Sequence, residues 1–135
     1  MSLPRFAPQS ASPDLAPDLA SLSDCRTLVQ TFYARVREDA LLAPVFVARI
    51  SDDAWPTHLE RMAAFWATVL FAAPLYRGNP AESHRELPIA RHHFDRWLTL
   101  WSDTIDALFA GPVATEAKQR AQRMARVLGE RVQQR

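Results

Sequence analysis

Residues 94–109 leave this chain little choice of architecture. Phe94, Trp97, Leu98, Trp101, Ile105, Leu108 and Phe109 fall at offsets of 0, 3, 4, 7, 11, 14 and 15. That spacing lines large apolar side chains along one side of a helix. Three more runs behave alike: Leu28, Val29, Phe32, Tyr33 and Val36; then Trp55, Leu59, Met62, Trp66, Val69 and Leu70; then Ala117, Ala121, Met124, Ala125, Leu128 and Val132. No sustained alternation of period two competes with them. Only three glycines occur in 135 residues, and the β-branched residues are sparse beside Ala, Leu and Arg, which favours helix over sheet. The expected fold class is all-α with four main helices.

Helix boundaries follow from caps and breakers. Residues 1–22 carry Pro4, Pro8, Pro13 and Pro17 among Ala and Ser, too little apolar mass to fold alone. They are expected to form a mobile tail or an arm laid on a domain spanning 23–135. The first helix should start near Ser23 or Asp24, with Arg35, Arg37, Glu38 and Asp39 facing water. Residues 41–50 contain Pro44 and read as a turn of helix or a connector, with Leu42, Val45 and Phe46 directed inward. Ser51, Asp52 and Asp53 offer caps for the second helix, and Pro56 suits its first turn. It should stop near Ala73-Pro74. Residues 74–88 have no period and read as turn and loop. The third helix is expected over 89–109, broken by Gly111-Pro112, and the fourth over 115–133.

Charge and motifs exclude several function classes. The net charge is +1, so no strong field draws the chain to nucleic acid or to a membrane surface. The longest uncharged run, 62–76, holds Pro74 and is too short to span a bilayer. Cys25 is the single cysteine, which rules out an internal disulfide, and the N-terminus has no secretion-signal pattern. A cytoplasmic location is the expectation. No Glu-x-x-His, His-Glu-x-x-His, phosphate loop or Gly-x-Ser-x-Gly occurs. The neighbours His92 and His93 diverge by about 100° on a helix and are poorly placed to chelate one metal.

Four polar side chains stand out against the apolar stripes. His84 sits in the irregular stretch with Leu87 three residues on. A neutral imidazole there suits a porphyrin iron, and it also suits an ordinary loop histidine. His58 shares a stripe with Met62, Phe65 and Val69 at spacings of four, three and four. It can face a bound ligand or stand at the helix edge. Tyr33, on the inner face of its helix, needs a partner for its hydroxyl. Trp97 has only a donor to offer. Two such donors aimed at one place would stabilise a negatively polarised ligand; satisfied by backbone carbonyls, they are core aromatics.

The order of the pieces carries a resemblance. Phe32-Tyr33-x-x-Val36-Arg37 is followed by Leu42-Ala43-Pro44-Val45-Phe46, Trp55-x-x-His58 and Phe65-Trp66. Then come Tyr76-Arg77-Gly78, His84-x-x-Leu87 and His93-Phe94-x-x-Trp97-Leu98. Over about residues 28–128 this resembles the truncated haemoglobins, and among them the third group. Ala43 stands where a glycine often precedes the proline, and the Pro-rich N-terminal stretch is longer than the family needs.

The resemblance implies a truncated globin, a two-over-two helical sandwich around haem b (iron protoporphyrin IX). It makes His84 the proximal iron ligand and Tyr33, His58 and Trp97 the distal polar set. Phe46 corresponds to the aromatic at the ring edge. Phe32, Met62, Phe65, Trp66, Leu87 and Phe94 complete the cofactor wall, with Arg77, Arg91 and His92 as candidate propionate partners. The implied function is binding of dioxygen, nitric oxide or other diatomic ligands at a five-coordinate iron, tightly and with slow release. Oxidation of nitric oxide or peroxide chemistry suits this better than bulk transport, with an unnamed electron donor. A haem-based sensor acting through a partner and a haem-free helical interaction domain are the competing classes.

Overall fold

The computed structural model describes residues 16–72 and 90–133. Five helices order the described chain: α1 (Leu22–Val36), α2 (Ala43–Arg49), α3 (Trp55–Phe71), α4 (Arg91–Leu108) and α5 (Pro112–Gln133). No strand occurs among the described residues. None of these helices is long and apolar enough to cross a membrane.

Each start and stop has a local cause. Ser21 caps α1 by accepting the Asp24 N–H at 3.2 Å, and Asp24 Oδ2 accepts the Ala20 N–H at 2.8 Å. This reciprocal arrangement satisfies donors that a helix start leaves orphaned, and it moves the beginning ahead of Ser23. The segment expected as a turn or connector is the two-turn helix α2, with Pro44 in its first turn. It buries Val45 and leaves Phe46 half-buried. A 3-10 turn, Asp52–Ala54, leads into α3, where Pro56 occupies the first turn. Ala72 ends α3 in the left-handed region, with φ 57°.

The last helix starts three residues ahead of the expected Thr115, and the reason is distant in sequence. Asp18, 95 residues before Val113, accepts the Val113 N–H at 3.0 Å and the Ala114 N–H at 2.8 Å. Pro17 accepts the Ala110 N–H at 2.9 Å, and Leu19 is buried in the core. Part of the stretch read as an arm is therefore seated on the helices. Gly111, with φ 136°, lets the chain turn beneath Asp18: a Cβ there would lie 2.6 Å from the carboxyl group.

The helices pack as two pairs. α1 lies on α3 and α4 lies on α5, and α1 also rests on α4. Trp101, fully buried, joins them. It stacks on Trp66 of α3 at 4.6 Å and meets Phe32 of α1 edge-on at 4.9 Å. Its indole N–H donates to the Ala117 carbonyl of α5 at 3.2 Å. The buried face of α5 is small, with Ala114, Ala117, Ala121 and Ala125, so this large ring fits against it. Burying one aromatic side chain contributes about 1.5–3 kcal/mol, and here one ring serves three interfaces.

Candidate functional site

The two-pair packing brings Tyr33, His58 and Trp97 together from three different helices. Tyr33 on α1 is only 6% exposed. Its ring meets His58 of α3 edge-on at 5.4 Å, Phe46 of α2 at 5.6 Å and Trp55 of α3 at 5.9 Å. The Trp97 indole N–H donates to the Tyr33 hydroxyl. Burial pushes the Tyr33 phenol up to about 12, with the Trp97 hydrogen bond pulling it down by a smaller amount. Tyr33 is thus neutral over the whole ordinary pH range and keeps its proton. With Trp97 donating into its oxygen, that proton is available to a further acceptor.

Trp97 is held in plane by its neighbours. It stacks on Trp101 at 5.6 Å with only 9° between the rings, and Phe32 meets it edge-on at 5.4 Å. Phe32 itself is sealed among Tyr33, Trp97 and Trp101 and backs the polar group. Trp66 lies in the core, against Trp101 and Phe65. Met62 and Phe65 are half-buried on α3. Phe94 is half-buried on α4, and its ring lies 3.8 Å from where a Cβ on Gly129 would stand. Arg91 and His92 are exposed at the start of α4. His84, Leu87 and Arg77 lie outside the described residues.

Two features of this region were not read from the sequence. Trp55, taken as one position on a helix face, is a wall of the polar cluster. It meets His58 edge-on at 5.4 Å and Phe46 at 6.3 Å, and the Arg37 guanidinium sits 4.6 Å above its ring. The i, i+3 spacing of Trp55 and His58 was the available signal, since such pairs share a helix face. Asp39 was expected to face water, and that is corrected here: its side chain is 8% exposed and paired with Arg96. A pattern read within one helix cannot register a partner 57 residues away. Burial opposes ionisation of Asp39, but Arg96 and the N–H groups of Leu42 and Leu41 outweigh it and hold the carboxyl below its ordinary range.

His93 has a different task from its neighbours. Its Nδ1 accepts the Ala90 N–H at 2.9 Å and closes the first turn of α4. Burial, and then the adjacent His92, hold its pKa below the usual histidine value, which keeps the accepting nitrogen unprotonated.

An apolar face remains beside this cluster. Phe46, Leu59, Met62, Phe65, Val69, Trp97 and Leu98 pack against the core on one side and are only partly buried. A flat apolar ring covering such a face would remove that surface from water, and Tyr33 offers a neutral donor at its edge. The side-chain chemistry fits haem.

Comparison with known proteins agrees with this geometry. The family model described as bacterial-like globin matches residues 21–132. The group 3 truncated haemoglobin of Campylobacter jejuni is 33% identical over 101 residues, covering 73% of this chain and 80% of the relative. The chain belongs to the truncated haemoglobins. A crystal structure of the group III truncated haemoglobin from Campylobacter jejuni superposes with a TM-score of 0.81 at 27% identity, covering 87% of this chain and 95% of that one. The group 2 truncated haemoglobin YjbI of Bacillus subtilis is 33% identical over 84 residues, 58% of this chain and 60% of the relative. The expected all-α truncated globin fold is the observed one, and family membership implies haem and small gaseous ligands.

Proposed function

We propose that this truncated globin binds haem b through His84 and takes up dioxygen, tightly and with slow release, on the side lined by Tyr33, His58 and Trp97. The observation that carries the proposal is the meeting of these three side chains from α1, α3 and α4, with His58 edge-on to Tyr33 and Trp97 held beside them by Phe32 and Trp101. Bound haem supplies an iron that accepts a diatomic ligand and exchanges electrons with it. The protein supplies everything around that event. Tyr33, neutral and fixed between Phe46, Trp55 and His58, would offer its O–H as a hydrogen bond to the ligand while keeping its proton. Trp97 directs its indole N–H to the Tyr33 oxygen, which leaves the Tyr33 O–H for the ligand. His58, edge-on to the Tyr33 ring, would admit the ligand or add a second donor. Phe46, Met62, Phe65 and Phe94 would line the bound ring and exclude water from it.

A hydrogen bond to a charged or strongly polarised partner contributes about 1.5–3 kcal/mol, which is a factor of roughly ten to a hundred or more in affinity. Slow release of this order suits oxidation of nitric oxide or peroxide chemistry, with an electron donor of its own, better than bulk transport. A cytoplasmic location and a globin domain over 23–135 belong to the same reading. The test is ligand kinetics on the haem-loaded protein. Tyr33→Phe should speed dioxygen dissociation by about tenfold or more, and Trp97→Phe should speed it as well. Unchanged dissociation in both variants overturns the distal scheme.

A further inference from the structure

A single carboxylate ties the helix that carries Tyr33, α1, to two of the helices that flank it, α2 and α4. Asp39 lies in the turn between α1 and α2. Its N–H donates to the Val36 carbonyl at 3.1 Å, and its own carbonyl accepts the Ala43 N–H at 2.9 Å. Its Oδ2 accepts the N–H groups of Leu41 at 3.2 Å and Leu42 at 3.0 Å. These bonds set the direction in which α2 leaves α1, and α2 carries Phe46 onto the Tyr33 ring. Oδ1 accepts the Nε–H of Arg96 at 2.8 Å, and Nη2 of the same guanidinium lies 2.8 Å away in the ion pair. Arg96 stands on α4 directly before Trp97.

We propose that Asp39 and Arg96 are the positioning pair of the distal site, holding α4 against the α1–α2 corner so that the Trp97 indole N–H stays on the Tyr33 oxygen. The inference rests on the reading of Tyr33 as the donor to the gaseous ligand. Exposed ion pairs usually contribute little, but this one differs in that its carboxylate is 8% exposed and accepts three N–H groups. Stacking on Trp101 and the edge of Phe32 fix the plane of Trp97. Trp101 shares α4 with Trp97, so that stacking moves with the helix and does not set α4 against the α1–α2 corner. The ion pair one residue away supplies that constraint.

The test uses the haem-loaded protein with dioxygen or carbon monoxide as the probe. Asp39→Asn keeps an oxygen for Leu41 and Leu42 and removes the charge. Arg96→Gln removes the charge from the other side, and Arg96→Lys restores it without the planar fork. Arg26→Gln, at the separate Arg26–Glu60 pair between α1 and α3 (2.8 Å), is the control for loss of an ion pair. Exchange of the Trp97 indole N–H with solvent, followed by NMR of the carbon monoxide form, should speed up about tenfold in Asp39→Asn and Arg96→Gln. It should be intermediate in Arg96→Lys and unchanged in Arg26→Gln. Dioxygen dissociation should rise in the same order. Indole exchange in folded Asp39→Asn, Arg96→Gln and Arg96→Lys equal to that of Arg26→Gln overturns the positioning role. Faster exchange with unchanged dioxygen release upholds the positioning pair and overturns the donor role of Tyr33.

Discussion

At the scale of the residue, the chemistry turns on a phenol that cannot ionise. Tyr33 is enclosed by Phe32, Phe46, Trp55 and His58, and burial lifts its pKa from 10.0 to about 12. The folded state prefers the protonated form. The stability this preference contributes is present below pH 10, where an unfolded tyrosine is still neutral, and is lost as pH rises toward 12. Urea midpoints should therefore fall more steeply between pH 10 and about 12 for wild type than for Tyr33→Phe. Parallel slopes in the two proteins would mean that Tyr33 is solvated and titrates normally. The other buried titratable side chain of α1 behaves alike for the same reason. Burial, helped by the negative charge of Asp24, pushes the Cys25 thiol up to about 11, so it is a packing residue and a poor nucleophile.

At the scale of the element, the four long helices were legible, and the start of the last one was not. The stripes of α1, α3, α4 and α5 follow from spacing because one face of each helix is buried whatever its partner. Residues 43–49 resisted that reading because two turns are too short to display a period. The start of α5 was hidden because its cap, Asp18, comes from the other end of the chain. Such a cap is worth about 1–2 kcal/mol. Asp18→Ala should lower stability by that amount in chemical denaturation, and Gly111→Ala should also destabilise, through its φ of 136° and the crowding against Asp18. A midpoint unmoved by Asp18→Ala would show that the N-terminal segment does not hold α5. The distal trio was legible in another way. Spacing left Tyr33, His58 and Trp97 open between core and site, and the resemblance to truncated haemoglobins singled them out. The mutual contacts of the three, and the ion pair behind them, depend on side chains far apart in sequence and emerge only in the fold.

At the scale of the whole molecule, two helix pairs clamp on Trp101 and leave a partly covered apolar face beside the Tyr33 cluster. In the proposed reading, haem covers that face. The proposal assigns the iron to His84, and everything ascribed to Tyr33 and Trp97 presupposes that attachment. The direct test compares optical and resonance Raman spectra of the ferrous wild-type protein with those of His84→Ala. The account predicts a globin-like Soret band and an iron–imidazole stretching mode in wild type, with that mode lost in His84→Ala. An iron–imidazole mode that survives the substitution unchanged, or a wild-type protein that takes up no haem, would contradict it.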